Sequence, residues 1–181
     1  MTEIKSTLEL VMEKTKDLNF NPEEREEQKR KEVQLKVEAL LQKYQENELK
    51  REQLEKALTN LERYYGTMVK PMLGYKLIEQ IDLDGNLSLI LDLLSHFFSL
   101  ETDQIGVIIH NFNRAIQSFS EERVRDLKEL LDKKYHISGS AVFPNLEKDE
   151  TWIATVKEIR EKFNQQLGEE KRKLKERVRI S

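Results

Sequence analysis

Six cations crowd the last eleven residues of this chain: Lys171, Arg172, Lys173, Lys175, Arg177 and Arg179, set against a single Glu176. A cluster of this kind can grip an anionic surface such as a nucleic acid, a lipid headgroup or an acidic protein partner. It equally suits the last turns of a helix, where the dipole favours positive charge. Glu169 and Glu170 precede the run, and no aromatic residue lies within it to stack on bases. These six residues are the candidate contact for an anionic partner.

Other spacings point to chemistry less well. Asp82, Asp84, Asn86 and Ser88 alternate like the first ligands of a calcium loop. The glycine, however, is at the fourth position instead of the sixth, and Leu93 stands where the closing bidentate Glu is needed. A turn with a helix cap accounts for the same residues. Asp92 with His96, and Asp132 with His136, share an i,i+4 spacing that two metal ligands on one helix would use. A di-iron bundle asks for Glu-x-x-His pairs and further inward glutamates, and none is present. His136 follows Lys133 and Lys134 and suits a helix C-terminus; His110, one turn before Arg114, has no ligand companion. Ser138-Gly139-Ser140 lacks the nucleophile-elbow pattern. No GxGxxG or GxxxxGK[ST] marks a phosphate loop. The expectation is no catalytic residue, no metal ligand set and no cofactor.

The elements that carry these residues follow from where the charges fall. Residues 1–66 carry 28 Asp, Glu, Lys and Arg, residues 120–181 carry another 28, and the 53 residues between carry nine. With 36% charged residues and only nine Gly plus Pro among 181, the chain favours long helices over a sheet. Segment charges of −2, −3 and +2 sum to the net −3, and no segment is strongly basic. There is no cysteine, which excludes disulfides and thiolate chemistry. Glu3, Glu9 and Glu13 interrupt any signal-peptide core, and residues 87–100, the longest apolar region, are too few to span a bilayer. A soluble cytoplasmic protein is expected.

Ile4, Leu8, Val11, Thr15 and Leu18 form one stripe and predict a first helix over residues 4–18. Asn21 and Pro22 then suit a helix start, with Glu23 and Glu24 complementing its dipole. After Pro22, residues 23–65 hold neither Gly nor Pro, which predicts one continuous helix over residues 22–65, roughly 65 Å long. Its heptad seam runs Val33, Val37, Leu40, Tyr44, Asn47, Arg51, Leu54, Leu58, Leu61, Tyr65. Gly66 and Pro71 end that pattern. Helices are expected near residues 71–81, 87–100, 103–119 and 120–135, the last opened by Ser120 with Glu121 and Glu122. Residues 136–145 read as a loop. Trp152, Val156, Ile159, Phe163, Leu167, Leu174 and Val178 predict a final helix from about 149.

One arrangement covers both charged helices. If the final helix runs antiparallel along the second, with Trp152 level with Tyr65, then Gln166 falls opposite Arg51 and Glu170 opposite Asn47. Polar positions meeting polar positions would fix the register of an intramolecular stalk. Self-association through the same seam is the rival, because a heptad does not say whose helix it faces.

The opening residues 3–15, Glu-Ile-Lys-Ser-Thr-Leu-Glu-Leu-Val-Met-Glu-Lys-Thr, resemble the start of a family of small helical bacterial proteins of unknown function. The resemblance continues into the Glu/Lys-rich residues 21–31 and covers the first fifth to third of the chain. It implies a bacterial cytoplasmic setting and brings no site residues with it.

The expected fold is all-α: a compact helical head over residues 67–146, and a long antiparallel coiled-coil-like stalk from residues 1–66 and 147–181. The expected function is a non-enzymatic adaptor, scaffold or assembly factor working through protein–protein contacts. The alternative is a nucleic-acid-associated protein using the basic C-terminal end.

Overall fold

The computed structural model describes residues 21–85 and 87–180, so the helix expected over residues 4–18, and the segment 3–15 that carries the family resemblance, lie outside the described residues. The described chain is helical throughout, without a strand among those residues. It divides into two compact units, Met1–Lys76 and Leu77–Ser181.

In the first unit, helix α1 (Pro22–Gln45) starts as its sequence dictates. Pro22 occupies the first position, and the Asn21 backbone N–H donates to Glu24 Oε2 at 3.0 Å, one half of a capping box. The continuous helix expected over residues 22–65 does not form: α1 ends at Gln45, and five residues separate it from α2 (Arg51–Tyr65). Asn47 makes the break, adopting φ 61°. Its N–H donates to Tyr44 O at 3.1 Å and that of Glu48 to Lys43 O at 2.8 Å, a complete Schellman stop. On the other side the Lys50 N–H donates to Gln53 Oε1 at 2.8 Å, which opens α2. Asparagine is the residue besides glycine that enters the left-handed region readily. Neither glycine nor proline marks this break in the sequence.

The two helices then double back on each other. Tyr65, at the end of α2, donates its hydroxyl to Glu32 Oε1 at 2.6 Å and accepts from Lys36 Nζ at 2.6 Å. Lys36 also pairs with Glu32 at 2.8 Å, and these bonds hold the Lys36 ammonium well above its usual range. The buried face of α1 is Val33, Val37 and Leu41, and that of α2 is Leu54 and Leu58. The expected seam therefore divides at Asn47, and Leu41 takes the buried place assigned to Leu40. Gly66, at φ 72°, ends α2 as expected. A short 3-10 turn (Gly66–Met68) leads into α3 (Val69–Glu79), with Pro71 tolerated in its first turn. Lys76 reaches across to pair with Glu38.

The second unit begins within α3 and continues through α4 (Ser88–Phe98), α5 (Asp103–Tyr135) and α6 (Glu150–Ile180). On α4, Ile90, Leu93, Leu94 and Phe98 form one buried stripe at helical spacing. Ser99 stops the helix at φ 52°, its N–H bonding Ser95 O at 2.9 Å. The separate helices expected over 103–119 and 120–135 are one helix of 33 residues. Ser120, read as a cap, is an interior residue of α5, and its hydroxyl accepts from Trp152 Nε1 at 2.9 Å.

That bond belongs to an antiparallel pairing of α5 with α6. Partners move apart in sequence along the pair: Arg123 with Asp149, Ser120 with Trp152, Phe112 with Phe163. The two Phe rings meet edge to face at 5.7 Å. Asp149 serves two purposes. It binds the Arg123 guanidinium through both oxygens at 2.8 Å, and its Oδ1 accepts the Trp152 backbone N–H at 2.8 Å as the N-cap of α6. Among the described residues the buried set of the chain is wholly apolar.

Two substitutions test this account by urea denaturation. Asn47→Gly should be tolerated, whereas Asn47→Val should cost about 1–2 kcal/mol, the penalty of a branched residue in left-handed backbone. Leu94→Ala, at a site with no exposure, should cost about 2–5 kcal/mol.

Candidate functional site

The six C-terminal cations do not act alike, because α6 places them on different faces. Lys171 points inward. Its Nζ donates to Glu79 O at 3.1 Å and to Ile81 O at 2.8 Å, taking up carbonyls left open at the end of α3. Burial lowers its pKa first, the positive charge of Lys175 adds to this, and the carboxylates of Glu79 and Asp82 pull the other way. Lys175 lies 3.4 Å from Glu79 Oε1, and Lys173 pairs with Glu170 at 2.9 Å. Arg172, Arg177 and Arg179 are exposed. Neither Arg172 nor Arg179 makes an ion pair among the described residues.

Three turns before Lys171, Arg160 reaches the same connector between α3 and α4. It grips both oxygens of Asp84 at 2.6 and 3.1 Å, with its guanidinium 5.3 Å from the centre of the Phe112 ring. Asp82 Oδ1 accepts the Asp84 N–H at 2.9 Å and closes the turn. A Cβ on Gly85 would stand 2.8 Å from that same oxygen, so a larger residue would push the Asp82 carboxylate aside. Asp82 and Asp84, the first two residues of the calcium-like pattern, are thus engaged in a turn and a guanidinium clasp, and Ser88 begins α4. Leu93, at the position of the closing ligand, lies in the apolar core.

Between the connector and α6 runs a groove of about 520 Å³. One wall is Glu79 and Asp82, the other Lys171, Arg172 and Lys175, and the buried side chains of Ile81 and Leu167 form its floor. Asn164 and Gly168 complete the α6 side. Gly168 is well inside a helix of 31 residues, and a Cβ there would meet nothing within 4 Å.

The other candidate residues are dispersed. His96 with Asp92 on α4, and His110 on α5, are exposed. His136 ends α5 at φ 52°, its N–H bonding Asp132 O at 3.0 Å, as its place after two lysines suggested. No group of three His, Cys, Asp or Glu fit to hold a metal ion occurs among the described residues. Asn47 and Arg51 belong to the first unit, in the α1–α2 connection and at the first position of α2. Gln166 and Glu170 are on α6 in the second unit. The register expected between them presupposed an unbroken helix through Asn47, a premise the Schellman stop removes. No helix among the described residues is long and apolar enough to cross a membrane.

A second feature lies where α5 turns over into α6. Residues 135–146, twelve in all, contain no Asp, Glu, Lys or Arg. Leu130, Tyr135, Ile137 and Phe143 are exposed there by 50, 54, 49 and 82%. Lys128 lies 5.4 Å from the centre of the Phe143 ring, and Lys134 lies 5.2 Å from that of Tyr135. The sequence signal for this patch is the uncharged run itself, which marks a loop as readily as an exposed apolar surface.

Comparison of the chain with protein-family models, curated proteins and solved structures finds no match.

Two outcomes follow from this geometry. Gly168→Ala should raise stability by about 0.5–1 kcal/mol in thermal or urea melts, because helix propensity improves and nothing is displaced. In acid, Glu27, Glu32 and Glu38, each lowered by a lysine partner, contribute to the profile together with the two aspartates Asp84 and Asp149. Arg160 and Arg123 hold the two aspartate carboxyls below the ordinary value of 3.8 in the folded chain. Their stabilisation is therefore complete above the unfolded value and is lost as pH falls through the lowered folded values. The urea midpoint should fall in that acid window, and Asp84→Asn with Asp149→Asn should flatten the fall.

Proposed function

We propose that this protein is a non-enzymatic helical adaptor or assembly factor that binds another protein through the turn of the α5–α6 hairpin. What supports this reading is the apolar apex. Tyr135, Ile137 and Phe143 stand in solvent within a twelve-residue uncharged run, in a chain that is 36% charged. Clustered exposed aromatic and aliphatic side chains of this kind are what a protein interface covers, with aromatic residues as its anchors. The complementary surface is an uncharged apolar one, since the run offers it no charge to pair. Support also comes from the ionisable groups. Among the described residues, displaced pKa values such as those of Glu32, Lys36, Asp84 and Asp149 come first from a hydrogen-bonded ion-pair partner, an arrangement suited to holding shape.

The competing reading is a nucleic-acid contact through the basic end of α6, favoured by the exposed Arg172 and Arg179. Such binding would weaken steeply as salt rises.

The test uses tagged full-length chain and a Tyr135→Ser, Ile137→Ser, Phe143→Ser variant. Stoichiometric partners are recovered by native capture, and the mass of the complex is measured in solution. The variant should lose the partner by roughly tenfold or more while melting as the parent chain does. Unchanged capture by the triple variant would overturn the apex reading. Loss only in an Arg172→Ala, Arg179→Ala variant, which spares Lys171 and the buried Leu174 and Val178, together with nucleic acid retained by the parent chain at low salt, would replace it with the alternative. A doubled mass without a second protein would make the partner another copy of the chain.

A further inference from the structure

The groove beside α6 carries a second inference, which rests on the adaptor reading but uses a different surface. Asn164, Gly168, Arg172, Lys175 and Arg179 follow one another at spacings of four, four, three and four, so they share one face of the helix. All are exposed except Lys175, which is half-exposed. Gly168 is the anomaly on this face. Glycine in a helix interior costs about 1 kcal/mol relative to alanine. No neighbour demands it here, since a Cβ would point into open space. A missing side chain that no internal packing explains does leave one thing: a place where an outside backbone can approach α6 closely.

The surroundings say what chemistry would approach. Arg172 and Arg179 have no ion pair among the described residues, and Lys175 has a single loose one at 3.4 Å. The half-buried ammonium of Lys171 is short of solvent, so an added carboxylate nearby would favour its charged form. The opposite wall carries Glu79 and Asp82, and the lining includes no aromatic ring. A phosphate polymer, charged at every residue, would meet repulsion along that wall and find nothing to stack on. A peptide can place carboxylates towards the cations and apolar groups over Ile81 and Leu167. From Asn164 to Arg179 this face extends about 22 Å, some four helical turns, with its cations over the last two turns, about 10 Å; that is the span of a helix and far exceeds a small anion.

We propose that the Asn164–Gly168–Arg172–Lys175–Arg179 face of α6 docks an acidic amphipathic helix of a partner protein, crossing at Gly168. Charge gives this contact its selectivity, and the glycine gives it close approach.

The experiment is an NMR titration of the isotope-labelled full chain with four probes. They are a synthetic Glu/Leu amphipathic helical peptide, its Lys-for-Glu counterpart, a single-stranded DNA oligonucleotide and inorganic phosphate. The acidic peptide should move the amide signals of Asn164, Gly168 and Arg172 and leave those of Tyr135, Ile137 and Phe143 in place. Gly168→Leu should weaken that binding by roughly tenfold, the factor that corresponds to about 1.4 kcal/mol. Its circular dichroism should show helix content at or above that of the parent chain. Arg172→Glu with Arg179→Glu, both at exposed positions, should reverse the preference towards the lysine peptide. Three results would overturn the proposal: equal binding by Gly168→Leu, tighter binding of the oligonucleotide or phosphate than of the acidic peptide, or no response to either peptide. Because the apex variant leaves this face intact, loss of the acidic peptide with partner capture retained would remove this inference alone. Loss of capture at the apex with peptide binding retained would remove the apex reading alone.

Discussion

Every helix leaves backbone groups without partners at its ends, and a chain with six glycines and three prolines has few ready-made ways to deal with them. Much of this architecture is the solution to that constraint. At helix C-termini the chain turns Asn47, Ser99 and His136 into left-handed backbone, each donating its N–H back to the last turn. At N-termini it uses Glu24, Gln53 and Asp149 as acceptors. At the end of α3 it uses a residue from elsewhere in the sequence, Lys171, whose ammonium meets two carbonyls more than ninety positions away or close to it. Local solutions set where helices stop. The long-range one ties α6 to the α3–α4 connector.

Arg160 and Lys171 act on that connector together, one through a side-chain carboxylate and the other through main-chain oxygens. They stand eleven residues apart, three helical turns, so both fall on the face of α6 that meets it. The partners differ in cost. Arg160 with Asp84 is an exposed pair, modest in energy and weakened by salt. Lys171 is partly desolvated, so its two hydrogen bonds offset a burial penalty before they contribute anything. Specific geometry, more than raw stability, is what such an arrangement secures.

Much of this could be read in the chain. Helical class, the start at Asn21–Pro22, the stop at Gly66, the turn around Asp82–Asp84, the helix end at His136 and the buried positions Leu167, Leu174 and Val178 all carry local signals that the structure keeps. Two expectations failed for one reason: local signals were weighed as if they were punctuation. Asn47 lacks the obvious mark of a breaker, yet its short polar side chain tolerates the left-handed backbone that ends α1. Ser120 with two following glutamates has every mark of a helix start, yet tertiary packing overrode it, because Trp152 needed an acceptor for its indole N–H. The bonds of Arg123 to Asp149 and of Lys171 to main-chain carbonyls were out of reach, since nothing local in a sequence specifies a partner 26 or 92 residues away.

The basic cluster shows how far composition can go and where it stops. Counting charges finds six cations and treats them as equivalent. A helix of 3.6 residues per turn distributes them around its circumference, and burial then separates their roles. Lys171 is structural because its face meets the end of α3. Lys173 is spent on a neighbour one turn back. Arg172 and Arg179 share a face with Gly168, the one position on it where the helix forgoes a side chain. Charge that is already paired keeps a fold in register, and charge left on an open face beside a helix-weakening glycine makes no such internal contribution. Beyond the favourable helix dipole and the Lys175–Glu79 contact, this face makes no packing contribution that requires Gly168, and it is where the chain has most to gain from an outside contact.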